Sequence, residues 1–134
     1  MSQENVDLVR SISAPWELGD FSSVEWAHPK IEFVIADGPA PGSWTGLAGM
    51  RKGWREFLGA WEHWRGEADE YRALDGERVL GLFHFSARGK ASGLEVGDVR
   101  TRGAFLYQLR DGKVIKLVLY WDGDRALEAV GLRE

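Results

Sequence analysis

One stretch, GAFLYQLRDGKVIKLVLYW at residues 103–121, constrains the fold of this chain more than any other. Two runs rich in β-branched and aromatic residues, 103–109 and 113–121, flank Arg110-Asp111-Gly112. Asp-Gly between such runs predicts a hairpin. In the second run Ile115, Leu117, Leu119 and Trp121 alternate with Val114, Lys116, Val118 and Tyr120, so the two sets are expected on opposite faces. Lys116 marks the second face as the wetter one. The first face is apolar throughout and ends in a Trp. It needs something to pack against, or something to bind.

The upstream chain supplies the packing partners. Val6, Val9, Ile12 and Trp16 recur at helical spacing within 2–19, and Glu4 and Asp7 lie in the first turns, where the helix dipole favours anions. Pro15 conflicts with this helix, because an interior proline costs about 3 kcal/mol. Either the helix bends near 11–13 or its last turn is irregular. Residues 21–28 predict a short second helix or turn, capped by Ser22 or Ser23 and broken at His28-Pro29. A short strand over 31–35 and a Gly/Pro-rich loop over 36–45 follow. Helical spacing returns over 46–64 through Met50, Trp54, Phe57/Leu58 and Trp61. Strands are predicted at 67–74, 78–88, 98–109 and 113–121, with Asp75-Gly76 as a second hairpin signal and a turn region at 89–97. A terminal helix is predicted over 124–132, capped by Asp122 or Asp124. No repeat or linker divides the chain, so one domain over 1–134 is expected. Helices first and meandering strands later predict an α+β fold, with helices on one face of a curved sheet.

Composition removes several function classes. A chain of 134 residues buries a core without staples. With no cysteine there is no disulfide framework and no thiolate chemistry. A net charge of −4 gives no bulk attraction to nucleic acid or acidic lipid. No run approaches the ~18 apolar residues of a membrane span, and MSQENVDLVR lacks the regions of a signal peptide, so a cytoplasmic protein is expected. His28, His63 and His84 show none of the HxH, HxxxH or HExxH spacings, and neither a phosphate-binding glycine loop nor a Gly-x-Ser-x-Gly elbow occurs; no metal or cofactor is expected. The seven Trp are the unusual feature. They serve either a core plus an interface or a pocket lined by several of them.

Ordered segments along nearly the whole chain carry a family resemblance. They are Glu4-Asn5-Val6-Asp7-Leu8-Val9-Arg10, Trp16-Glu17-Leu18-Gly19-Asp20, His28-Pro29-Lys30-Ile31-Glu32-Phe33 and Trp44-Thr45-Gly46-Leu47. Arg88-Gly89-Lys90, Leu109-Arg110-Asp111-Gly112-Lys113-Val114 and Arg125-Ala126-Leu127-Glu128-Ala129-Val130-Gly131-Leu132 complete the set. The chain resembles the SnoaL-like branch of the nuclear-transport-factor-like superfamily, which also hosts ketosteroid isomerases. The resemblance implies a cone-shaped, curved antiparallel sheet with N-terminal helices closing a hydrophobic pocket. Ketosteroid isomerases work with a carboxylate base, a Tyr and a protonated carboxylic acid. Those roles fall at Ile12 with Ser13 beside it, near Val34 with Asp37 three residues on, and at Ala104, so the chain resembles that fold and lacks that site. The resemblance also implies a pocket lined by Ile12, Trp16, Trp54, Leu58, Trp61, Phe83, Leu119 and Trp121, with small floor residues at Gly81 and Ala104.

Three polar residues are candidates for chemistry. Asp37 is either a general base at the pocket mouth, where burial among aromatic groups strengthens a carboxylate as a base, or a turn residue capping its own backbone. His84 lies on the outer face if Phe83 and Phe85 point inward; a register shift of one places it in the cavity as a proton shuttle. Arg102 either enters the cone to fix an anionic group or belongs to a solvated face with Asp98 and Arg100. The expected function is cofactor-free proton transfer (isomerisation, cyclisation or elimination) on a flat apolar or aromatic small molecule, with Asp37 and His84 catalytic. The alternative is a non-catalytic ligand-binding or dimerisation domain of the same fold. A homodimer is expected in both cases, because the face bearing Val118 and Tyr120 carries apolar residues.

Overall fold

The hairpin turn at 110–113 places both Asp111 (φ 52°) and Gly112 (φ 78°) in the left-handed region. This is the twist-matched two-residue turn that Asp-Gly favours. The turn belongs to a computed structural model that describes residues 2–18, 20–38, 41–59, 61–89 and 98–131, with residues 2, 61–63, 87–89 and 98–100 described by backbone alone. The elements in chain order are α1 (Ser2–Glu17), β1 (Ala27–Ile35), β2 (Gly42–Thr45), α2 (Gly46–Gly59), β3 (Trp61–Ala73), β4 (Arg78–Gly89), β5 (Asp98–Arg110), β6 (Lys113–Tyr120) and α3 (Gly123–Ala129). No helix is long and apolar enough to cross a membrane, among the described residues.

The six strands form one curved sheet in the order β2-β1-β6-β5-β4-β3. From β6 to β3 every pairing is antiparallel. The sheet as a whole is mixed, because β1 runs parallel to β6, with Phe33 opposite Leu117 and Ile35 opposite Leu119. No hairpin joins these two strands, so nothing local forces the antiparallel sense. Pro29, which cannot donate to a ladder, falls where the β1–β6 register is broken between Ala27 and Glu32.

Four sequence expectations are corrected. The predicted short helix at 21–28 is absent: 21–24 are non-helical and β1 starts at Ala27. Strand β2 occupies the end of the predicted loop. The long helix stops at Gly59, and β3 runs from Trp61, so Trp64 stands on a strand. The regular alternation in β6 fails at Ile115. Gln108 faces Lys116 while Leu109 faces Val114, which leaves Ile115 as the extra residue of a bulge. Val114 therefore turns into the core with Leu117 and Leu119, and Ile115 is only half-buried.

Helix α1 runs through Pro15 to Glu17 without interruption. The missing N–H leaves the carbonyl of exposed Ser11 without its usual donor four residues on. The Pro15 carbonyl closes the end by accepting from Leu18 N and Asp20 N. Helices α1 and α2 pack Val9, Ile12, Trp16, Met50, Trp54 and Phe57 against the concave face of the sheet. Each such buried side chain contributes about 1.5–3 kcal/mol. On the opposite face, α3 covers Leu80 and Ala104 with Ala126 and Leu127. Asp122 caps this helix, its side chain accepting from Asp124 N at 3.0 Å.

Candidate functional site

The concave face is a continuous lining of aromatic rings. Trp16 on α1 touches Phe105 at 4.8 Å and Trp54 at 5.5 Å between ring centroids. Trp54 on α2 stacks on Phe33 at 4.9 Å and meets Phe21 at 5.2 Å. Trp64 on β3 meets Phe85 at 5.0 Å, Phe57 at 5.1 Å and Phe21 at 5.4 Å. Offset and edge-to-face pairs of this kind add about 0.5–1.5 kcal/mol each beyond burial. The lining reaches solvent at half-buried rings, Phe21 and Trp121 among them. Trp121 closes one end, against Phe57 at 5.8 Å and Phe85 at 6.0 Å.

That end is held by Asp37 and Gly38, just past β1. Asp37 Oδ1 accepts from Trp121 N at 2.6 Å, and Oδ2 accepts from Asp122 N at 3.2 Å. Gly38 adopts φ +88°, and a Cβ there would lie 2.1 Å from Trp121 Cδ1, so only glycine lets the indole settle against the chain. The Trp121 carbonyl accepts from Thr101 Oγ1 at 3.3 Å. Three backbone-directed contacts thus fix the rim residue in place.

Polar atoms inside the cone are few. Ser13 Oγ donates to the Val9 carbonyl at 3.0 Å and accepts from the Tyr107 hydroxyl at 2.7 Å. Burial pushes Tyr107 well above the ordinary phenol range, with Tyr71 adding in the same direction and Ser13 opposing. Burial also raises Tyr71. Trp64 Nε1 is buried with no hydrogen-bond partner among the described residues.

The comparisons with known proteins bear on this site. Residues 13–117 match the SnoaL-like domain. The chain belongs to the SnoaL-like family. No curated protein matches the sequence significantly. Among solved structures, a candidate SnoaL-like polyketide cyclase from Jannaschia sp. CCS1 is similar, at 13% identity and TM-score 0.75 over 99% of this chain and 95% of that one. An NTF2-like protein from Burkholderia pseudomallei K96243 is similar at 15% identity and TM-score 0.75, over 95% and 97%. TerC, co-crystallised with polyporic acid, is similar at 18% identity and TM-score 0.72, over 94% and 97%. At these identities the likeness is one of fold.

Within this SnoaL-like cone the structure places the residues singled out from the sequence as follows. Ile12, Trp16, Trp54, Phe83 and Leu119 are buried in the concave core, and Leu58 packs against it half-buried. Trp61 opens β3, and its side chain lies outside the described residues. Asp37 and Trp121 sit together at the rim. Gly81 is on the concave face but is not open floor: a Cβ there would lie 2.6 Å from Phe83 Cε1 and 3.2 Å from Tyr71 Cε1, so rings already fill the space.

Three placements are corrected. Ala104 pairs with Leu82 while Phe105 pairs with Gly81, so strand alternation puts Ala104 on the outer face, buried under α3. His84 and Arg102 are paired across β4 and β5 on that same outer face, and both are exposed. His84 Nδ1 lies 2.6 Å from Asp69 Oδ1. Asp69 is the extra residue of a β3 bulge between Ala68 and Glu70. The cause is the inward pointing of Phe83 and Phe85, which leaves His84 no inward register. No group of His, Asp and Glu is arranged to hold a metal, among the described residues.

What the sequence reading missed is Trp64 and the Ser13–Tyr107 pair. Assigning 61–64 to a helix hid the alternation of Trp64, Gly66 and Ala68. Tyr107 carried a signal that was there to use: it lies on the same strand face as Phe105 by period 2.

Proposed function

We propose that this chain takes a flat apolar small molecule against the aromatic lining of its cone. The observation that carries this reading is the connected set of rings Trp54, Phe57, Trp64, Phe85 and Trp121, running from the buried core to a half-exposed rim. Such a surface offers dispersion and stacking to a planar ligand and few polar groups to orient it. The likeness to TerC, co-crystallised with polyporic acid, supports an organic ligand for this fold.

A second reading is catalytic: cofactor-free proton transfer, with Asp37 as the base. It is favoured by the position of the Asp37 carboxylate against the Trp121 main chain at the rim. Each carboxylate oxygen keeps a lone pair beyond the backbone bond it accepts. His84, on the outer face, takes no part. The reaction class is isomerisation, cyclisation or elimination of a substrate with an acidic C–H.

Titration with pyrene, read by Trp fluorescence, tests the binding reading. Saturable quenching in the wild type, weakened several-fold in Trp121→Ala, supports it. Linear, unsaturable quenching overturns it. For the catalytic reading, hydrogen–deuterium exchange at the activated CH₂ of 2-tetralone is compared in wild type and folded Asp37→Asn. Equal exchange rates in the two exclude Asp37 as the base.

A further inference from the structure

Trp64 carries a buried donor that the fold does not use. The residue is 2% exposed, and its Nε1 has no hydrogen-bond partner among the described residues. Nearly all buried polar groups in folded proteins are paired, so an unpaired one calls for a physical account. The rings around Trp64 are Phe21, Trp54, Phe57, Phe85 and Phe105. Phenylalanine offers at most the weak acceptor of its ring face, and the Trp54 indole nitrogen is a donor only. A water molecule is a poor substitute, because its own two protons need acceptors and the polar atoms of this shell of side chains are donors only. An anion is poorer still, since no cation stands among those rings to compensate its desolvation.

The remaining complement is a neutral acceptor carried in on an apolar frame. Trp64 is within reach of such a molecule. Phe21, one of its ring neighbours, is half-buried, and Phe57 and Phe85, two others, both touch the half-buried Trp121. The Trp64 ring therefore connects to the half-exposed rim directly through Phe21 and through Phe57 or Phe85 to Trp121. We propose that Trp64 Nε1–H is the polar anchor of the site, and that the ligand is a flat aromatic compound with a neutral carbonyl oxygen, which accepts this hydrogen bond as rings at the rim move aside. This inference rests on the binding reading above and narrows it to a class of molecule.

The test compares 9-fluorenone with fluorene, which share one frame and differ by the carbonyl. Affinities are read by Trp quenching, and the Trp64 indole N–H signal is followed in ¹H–¹⁵N spectra, assigned through Trp64→Phe. The expected result is a preference of about tenfold for fluorenone, the order of one net hydrogen bond. A downfield shift of the Trp64 signal with fluorenone alone, and loss of the preference in Trp64→Phe, go with it. Equal binding of the two compounds, or a Trp64 proton that stays shielded because it points at the Phe57 ring, overturns the anchor and leaves the binding reading standing. Binding of neither compound overturns both. The indole signal is read in the wild-type protein, so the result holds even if Trp64→Phe fails to fold.

Discussion

Gly103 and Asp37 are the residues on which the geometry of the cone most narrowly depends. A Cβ at Gly103 would lie 2.4 Å from the Tyr120 carbonyl oxygen and 2.3 Å from Phe85 Cε2. The first of these is backbone of the neighbouring strand and cannot rotate away. Gly103→Ala must therefore separate β5 from β6 or displace Phe85, and overpacking of this kind costs about 1–3 kcal/mol. Urea denaturation should show a clear fall in midpoint, with the Trp emission shifted as Phe85 leaves its neighbours Trp64 and Trp121. Asp37 makes the complementary prediction. Its two oxygens each accept a backbone N–H, and hydrogen bonds to a charged group are worth about 1.5–3 kcal/mol. Asp37→Ala should lose about that much stability and release the Trp121 end, which hydrogen exchange at the Trp121 and Asp122 amides would report. The sequence allowed both a base and a turn residue at Asp37. The structure gives it the structural work in full, whatever chemistry it adds.

Between elements, the seam of α1 on β5 is the least ordinary. The Tyr107 hydroxyl is fully enclosed and donates to Ser13 Oγ, which passes the chain on to the Val9 carbonyl. Burial holds the folded Tyr107 proton well above the ordinary phenol value of 10.0. Above about pH 10 the unfolded chain loses this proton while the folded protein keeps it, so the unfolded state binds fewer protons and stability falls as pH rises. One such group contributes a slope of at most about 1.4 kcal/mol per pH unit. Urea midpoints between pH 9 and 11.5 should fall steeply in the wild type and more gently in Tyr107→Phe; Tyr71 and Tyr120, both raised as well, maintain part of the slope. If the two proteins fall in parallel, Tyr107 ionises freely and the seam is open to water.

At the scale of the molecule, the sheet separates two kinds of surface. The hairpin, the Trp54 stripe of α2 and the shared face of Leu117 and Leu119 were legible from period and turn chemistry, while the inward facing of Phe83 came with the family resemblance. The face of Ala104 was not legible, and those of His84 and Arg102 stayed open between cavity and outer surface, because they depend on pairing register, and one strand position reverses a side chain. The bulge at Ile115 and the parallel β1–β6 pair are long-range facts with no local signal. On the outer side α3 buries Leu80 and Ala104, Tyr120 packs half-buried against that cluster, and the open part of the face carries Glu67, His84, Ser86 and Arg102. The two faces should therefore be separable by mutation. Leu127→Ala, beneath α3, empties a buried site on the outer side and should cost about 2–4 kcal/mol of stability. Leu127 belongs to the cluster under α3 and not to the ring-lined core, so pyrene or fluorenone affinity in the folded mutant should match the wild type. Trp121→Ala, on the concave side, should weaken affinity several-fold. If Leu127→Ala changes affinity as much as Trp121→Ala does, the sheet transmits strain between its faces, and the ligand site cannot be assigned to the concave side alone.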